Sequence, residues 1–330
     1  MTIGIDVSKL KLDVWLMENP KDSKQEHFIV ENNEKGINQI IKTVKKQKYS
    51  IEDCLFCFEN TGIYSMPLSY HLSEFGADYW VVPALEIYRS KGITRGKNDK
   101  NDAKEIAFYA FTHLHKLKLN TLPEKEIAQL KALFTEREKL VKSIKIMDTT
   151  KENEGFMPKE IIKEVTKINA QTVVLLKKQL KLVEEKMTEI VKQSEKIKEV
   201  QKLVCSVPGI GKQTALYLII NTKCFEAFDN WRKLACYAGI APFEYSSGSS
   251  IKGRTKVNNL ADKKMKSLLQ MCVMTAIKND KELKEYYNRK KEEGKNSMLV
   301  MNNVRCKLLA RVFAVINRGT PFVNTQKFAA

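Results

Sequence analysis

Short apolar runs with period-two alternation open the chain. Residues 2–8 (TIGIDVS) and 12–18 (LDVWLME) have the β-branched and aromatic character of strands, and Lys9-Leu10-Lys11 between them predicts a tight turn. Residues 25–32 (QEHFIVEN) read as a third strand. The apolar spacing then lengthens to three and four in GINQIIKTVKK (36–46), which predicts a helix. CLFCFEN (54–60) reads as a buried strand, and YSMPLSYHLSEFG (64–76) as a helix closed by Gly76. DYWVVPA (78–84) is a strand stopped by Pro83, and NDKNDAKEIAFYAF (98–111) a helix. Three strands, helix, strand, helix, strand, helix is the order of a mixed α/β sheet domain, here residues 1–120.

The pattern changes over residues 121–202. Pro123 opens a helix that runs to about Met147, and TTKENEGFMP (149–158) breaks it. In the long helix that follows, Val173, Leu176, Leu180, Val183, Met187, Ile190 and Ile197 keep a heptad-like stripe, with Ser194 the polar interruption. That stripe is a coiled-coil signature. It fits a hairpin packing on itself and a dimer seam equally well. Residues 203–330 form a third unit, mainly helical and ending in a basic segment. The fold class is therefore α/β plus α.

Composition narrows the function. The 330 residues carry 57 Lys+Arg against 39 Asp+Glu, a net charge of +18, and most of the excess is lysine. Such an excess favours a polyanionic partner, most simply nucleic acid. No apolar run reaches a membrane-spanning length, so no membrane association is expected. The first residues lack the layout of a signal peptide, and seven scattered cysteines suit reduced thiols, which together predict a cytoplasmic protein.

Acids inside strands of a basic protein require a reason, since a buried charge is costly unless paired or bound to a cation. Asp6 lies in the first strand and Glu59 at the end of CLFCFEN. Asp99 and Asp102 begin a helix, and their spacing of three puts both on one face. Four carboxylates converging above a sheet can hold two Mg²⁺ ions, one activating the attacking oxygen and one stabilising the leaving oxygen of a phosphodiester. Each acid alone is equally an N-cap or a surface residue.

Three other segments stand out. SVPGIGKQT, with Gly209, Gly211 and Lys212, resembles a helix-hairpin-helix element whose helix N-terminus offers N–H groups to a phosphate, although Pro-Gly-x-Gly is also a plain loop. PFEYSSGSSIKGRTK (242–256) reads by composition as a flexible polar loop. It also sets Ser246 and Ser247 close to Lys252, Arg254 and Lys256, where a serine can act as a nucleophile. Arg89, Lys91, Arg95, Lys97, Lys100 and Lys104, interleaved with the aspartates, form the best single backbone-binding stretch. Cys54-x-x-Cys57 lacks a second ligand pair and reads as core packing rather than a zinc site.

Taken in order, GIDVSK, FENTGIY and GKNDKNDAKEIA at the front, then SVPGIG, the segment from FDNWRKLACYAGIAPFEYSSGSSIKGRTKV, and LKEYYNRKKEEGKNSMLVMNNVRCKLLARVFAVINRGTPF at the back, resemble the DEDD-type transposases of bridge-RNA insertion sequences, related to the pilin-gene invertase. The resemblance covers nearly the whole chain. It implies a ribonuclease-H-like (resolvase-like) domain over 1–120, a helical coiled-coil region over 121–202, and a C-terminal transposase domain over 203–330. It places Asp6, Glu59, Asp99 and Asp102 on the family's metal-binding acids, and Ser247, with Ser246 adjacent, on its nucleophile. It implies a structured RNA that pairs with donor and target DNA, so that base pairing selects sequence and the protein grips shape and backbone. One departure is visible: KVNNLADKKMK stands where many members have Lys-x-Gly-Asn and an arginine, leaving Lys263 or Lys264 to replace that arginine.

The expectation is a recombinase that cuts and rejoins DNA to move an insertion element. Its acids and Ser247 would act on one phosphate, from one subunit or two. A junction-resolving nuclease that uses only the acids and water, and a non-catalytic nucleic-acid-binding remnant of an element, are the rivals.

Overall fold

Asp6 and Glu59 fall at the ends of two adjacent parallel strands, and the fold is best described from that pairing outward. A computed structural model describes residues 1–21, 25–90, 98–148, 156–247 and 251–324. They form two units, Met1–Leu122 and Pro123–Ala330.

In the first unit the chain runs β1 (Thr2–Val7), β2 (Lys11–Met17), β3 (Glu26–Glu31), α1 (Glu34–Lys46), β4 (Leu55–Glu59), α2 (Met66–Glu74), β5 (Asp78–Val82), α3 (Ala84–Ser90) and α4 (Asp99–Thr112). The strands make one mixed sheet in the order β3-β2-β1-β4-β5. β1, β2 and β3 form an antiparallel meander, while β4 and β5 run parallel to β1. The β1–β2 turn differs from the sequence expectation by one residue. It spans Ser8–Leu10, and Lys11 is the first residue of β2. The cause is local: Ser8 Oγ donates to the Lys11 carbonyl at 2.8 Å and accepts from the Lys11 N–H at 3.2 Å, which closes the turn a residue early.

The sheet's two faces are packed differently. Ile3, Ile5, Leu12, Val14, Phe56 and Phe58 point to one side, where Ile37, Ile40, Ile41 and Val44 of α1 and Leu68 and Leu72 of α2 cover them. Each such side chain contributes roughly 1.5–3 kcal/mol by leaving water. The other side carries Gly4, Trp15, Met17, Cys57 and Trp80, and α4 lies on it. A Cβ on Gly4 would sit 2.3 Å from the Ala103 carbonyl oxygen and 2.3 Å from the Ala107 nitrogen. The helix backbone therefore rests directly on β1, which glycine on the strand and alanines on the helix permit. α3 is a helix the sequence reading did not pick out, and the Tyr109 hydroxyl of α4 donates to Glu86 of α3 at 3.0 Å. Cys54 and Cys57 are buried on opposite faces of the sheet, in keeping with packing.

In the second unit follow α5 (Lys125–Asp148), α6 (Lys159–Gln193), α7 (Glu195–Ser206), α8 (Lys212–Thr222), α9 (Trp231–Tyr237), β6 (Pro242–Ser247), β7 (Ile251–Val257), α10 (Lys263–Asn279), α11 (Lys281–Glu292) and α12 (Ser297–Arg318). α5 and α6 pack along one another, joined by an Arg137–Glu184 ion pair at 2.8 Å. The stripe from Val173 to Ile190 is the buried and half-buried side of α6. Ile197 does not continue it: Ser194 ends α6 and accepts from the Ile197 N–H, so Ile197 lies in α7. A second series on α6, Ile161, Val165, Ile168, Leu175 and Leu182, keeps the same three-and-four spacing one residue out of phase and is exposed throughout. Ile127, Leu130 and Phe134 of α5 and Met187 and Val191 of α6 join one core with α7 to α12.

PFEYSSGSSIKGRTK, which reads by composition as a loop, forms an antiparallel ribbon over its described residues, from Pro242↔Val257 to Ser247↔Ile251. Phe243 and Tyr245 on one strand, and Ile251, Thr255 and Val257 on the other, supply alternate strand-forming positions that outweigh the serines and glycines. Among the described residues no helix is long and apolar enough to cross a membrane.

Candidate active site

The first turn of α4 delivers two acids to the end of the sheet. Asn98 caps the helix by accepting from the Asn101 N–H at 2.7 Å, and Asp99 and Asp102 follow inside that turn. Because α4 is seated on Gly4, this end comes close to Asp6. Burial, and then the charges of Asp102, Asp99, Glu59 and Asp13, push the Asp6 carboxyl up from its ordinary value to about 6. The other three acids expected from the sequence, on β4 and α4, therefore stand within electrostatic reach of Asp6 on β1.

The structure adds three residues that the sequence reading missed. Asp13 is directly opposite Asp6 on β2, and its side chain is 4% exposed. His27 of β3 lies 3.1 Å from one Asp13 oxygen, and the Lys11 ammonium lies 3.1 Å from the other. The same ammonium donates to Asp99 at 2.7 Å. Hydrogen bonds to Asp99 and then to Asp13 hold Lys11 protonated to higher pH than usual. The available signal was register. With Ser8 facing Lys11 across Lys9 and Leu10, counting back along an antiparallel pair puts Asp13 across from Asp6, whereas a turn over Lys9–Lys11 counts Val14 there.

The donors are carboxylate oxygens, the set that suits a hard divalent cation. Burial, and then the neighbouring acids, make the Asp6 charge costly without one. Among the described residues, however, no three His, Cys, Asp or Glu side chains are close enough together to enclose a metal as they lie. The donor chemistry fits a metal, and the enclosure is incomplete.

The nucleic-acid candidates are spread over both units. Arg89, Lys100 and Lys104 are exposed, and the Lys100 and Lys104 ammoniums lie 5.9 and 5.3 Å from the Trp15 ring centre, within cation–π range. Lys91, Arg95 and Lys97 lie outside the described residues, as do the side chains of Ser247, Lys252 and Arg254. The Ser247 backbone is the last residue of β6, paired with Ile251, while Ser246 pairs with Lys252. Ser246 and Lys256 are exposed. Gly209 adopts φ +92°, and a Cβ there would sit 2.6 Å from the Cys272 carbonyl of α10, so the loop before α8 needs glycine both for its backbone and for its packing. Gly211 and Lys212, at the start of α8, are exposed.

Comparison with known proteins bears on these features. A model described as transposase, of the DEDD type of IS110, matches residues 3–151, and one described as transposase IS116/IS110/IS902 family matches residues 201–288. The first takes in every expected acid and the second the serine ribbon. The chain belongs to the IS110 family of transposases. The transposase is 24% identical over 324 residues to the pilin gene-inverting proteins of Moraxella bovis and Moraxella lacunata, covering 97% of both chains in each case. It is also 27% identical over 118 residues to a 43.6 kDa protein of insertion element IS110 from Streptomyces coelicolor, covering 36% of the present chain and 29% of that one. The transposase is thus an enzyme of DNA recombination, and its DEDD type is typically metal-dependent.

Proposed function

We propose that the transposase cuts and rejoins DNA through two sets of residues, the acids Asp6, Glu59, Asp99 and Asp102 and the serine Ser247, to mobilise an insertion sequence in the cytoplasm under the guidance of a structured RNA. The observation that carries the reading is the burial of Asp6 among other carboxylates, which together raise its pKa to about 6. The strand order 3-2-1-4-5, with β2 alone antiparallel to the rest, supports a ribonuclease-H-like first domain. The long α5–α6 pair supports a coiled-coil middle region and a homo-oligomer built through it, and the +18 charge supports DNA and RNA partners.

Asp6, Glu59, Asp99 and Asp102 would hold Mg²⁺, two ions by the geometry of such sites, which when bound stabilise charge on the attacking and leaving oxygens. Asp13 keeps its carboxylate against Asp6 but is committed to His27 and Lys11, so it orients the set from behind. Ser247 Oγ loses its proton and bonds to phosphorus. The phosphorus–oxygen bond to the DNA breaks and leaves a DNA hydroxyl, and a later DNA hydroxyl reverses the phosphoserine link without ATP. Arg89, Lys100, Lys104 and Lys256, with Lys91, Arg95, Lys97, Lys252 and Arg254, contact phosphates, and the α8 N-terminus with Gly209, Gly211 and Lys212 offers N–H donors to another.

The test is a protein–DNA adduct. Transposase, its RNA and target DNA are incubated with Mg²⁺, denatured and examined for DNA-linked protein. Ser247→Ala is expected to lose the adduct and Ser246→Ala to keep it, while Asp6→Asn and Asp102→Asn lose cleavage altogether. Free nicked product without adduct would replace this reading with a water-using junction nuclease. Nucleic-acid binding with no cleavage by the intact chain would leave only a binding remnant.

A further inference from the structure

The acids crowd one another, yet no three of the described side chains enclose a cation. Lys11 supplies a physical reason. Its ammonium bridges Asp99 of α4 and Asp13 of β2, at 2.7 and 3.1 Å, while its side chain remains 43% exposed. Asp13 is buried and fixed from the other side by His27, so the bridge is anchored in the sheet and draws Asp99 toward β2. Asp99, with half its side chain exposed at the helix start, is the acid with most freedom to be drawn.

We propose that Lys11 is a built-in counter-ion of the acid cluster: its ammonium holds Asp99 in the metal-free protein, competes with the divalent cation for that carboxylate, and is displaced from it when the metal binds. The inference rests on the reading of the acids as the metal-holding set. Lys11 acts through Asp99 and Asp13 and is a positioning residue. Its position follows from the early turn at Ser8–Leu10, which places Lys11 and Asp13 two apart on one side of β2. An ammonium is a compact charge on a flexible stem, able to leave one carboxylate and keep another, so Lys11 can release Asp99 and remain on Asp13.

Competition predicts a sign that a supporting role does not. Removing a single positive charge a few ångströms from a divalent cation, in a water-like dielectric, should tighten its binding about tenfold. Chelator-stripped transposase without DNA is titrated with Mn²⁺ by calorimetry, and with Mg²⁺ by displacement of Mn²⁺. Lys11→Met and Lys11→Gln should bind Mn²⁺ about tenfold more tightly, and Lys11→Arg should bind like wild type. In an Asp99→Asn background the gain should shrink. In chelator, Lys11→Met should melt lower than wild type, and Mn²⁺ should close the gap. Weaker or unchanged Mn²⁺ binding in both neutral variants overturns the counter-ion role, with wild-type binding lost in Asp102→Asn as the control that the acids hold the ion. If wild type binds no Mn²⁺, or Asp102→Asn binds it as wild type does, the metal-holding reading falls, and this inference with it.

Discussion

Asp6→Asn should make the metal-free transposase more stable at neutral pH. Asp6 gains its proton more easily in the folded protein than in the unfolded chain, where a carboxyl titrates near 3.8, because burial and then Asp102, Asp99, Glu59 and Asp13 oppose its charge. The folded state binds the proton more tightly, so the ionised group costs nothing below about pH 4. That cost grows as pH rises toward about 6 and stays constant above it. The full shift would correspond to about 3 kcal/mol. Asp6 is only half-buried, and solvent screening reduces the expected gain to about 1–2 kcal/mol. Asparagine keeps the size and removes the charge. In chelator, urea or thermal unfolding from pH 4 to pH 8 should show the two proteins equal at the acid end and the variant ahead by several degrees above pH 7. Divalent metal should narrow or invert the gap, since it relieves repulsion in wild type and binds the variant poorly. A variant less stable at pH 8, or a gap that does not change with pH, would refute the claim that the acids crowd Asp6.

Gly4→Ala should destabilise the first unit by about 3 kcal/mol or more and abolish cleavage, because the new Cβ meets helix backbone at 2.3 Å; a wild-type melting temperature would show that α4 does not rest there. On α6, Leu175→Glu with Leu182→Glu should lower the mass in sedimentation while leaving the melt nearly unchanged, whereas Leu180→Asp with Met187→Asp should unfold the helix pair. Gly209→Ala should lower both stability and DNA affinity, read by melting and by a binding titration, since it strains φ +92° and pushes on α10. Asp280→Ala should cost about 2–4 kcal/mol in unfolding, since its buried carboxylate caps α11 through the Leu283 N–H and pairs with Arg311 at 2.9 Å.

The acids were legible because a charge inside an apolar strand is conspicuous: Asp6 follows Ile3, Gly4 and Ile5, and Glu59 closes a run of cysteine and phenylalanine. Asp13 was not, although it is more buried than Asp6. Its meaning depends on which residue of β1 it faces, and that is set by a serine hydroxyl closing the turn. Lys11, assigned to the turn from its neighbours, lost its role for the same reason. The stripe on α6 could be read from spacing, but spacing does not say what covers it. Val173 to Ile190 form the buried side of the helix in this chain, and Ile161 to Leu182 stay exposed beside them. The ribbon was hidden by its serine- and glycine-rich tip, which dominates composition while the flanking residues alternate quietly.

The acids come from chain positions far apart, with Ile5 of β1 paired to Phe58 of β4 and α4 laid on Gly4 after both. During synthesis this order acts as a delay. The ribosome delivers Asp6 first, but the carboxylate faces only Asp13 of β2 until β4 has been added beside it and α4 has emerged and docked. A nascent transposase, or a prematurely terminated fragment that stops before residue 99, lacks half of the acid set. Only a chain that has completed its first unit carries the whole set.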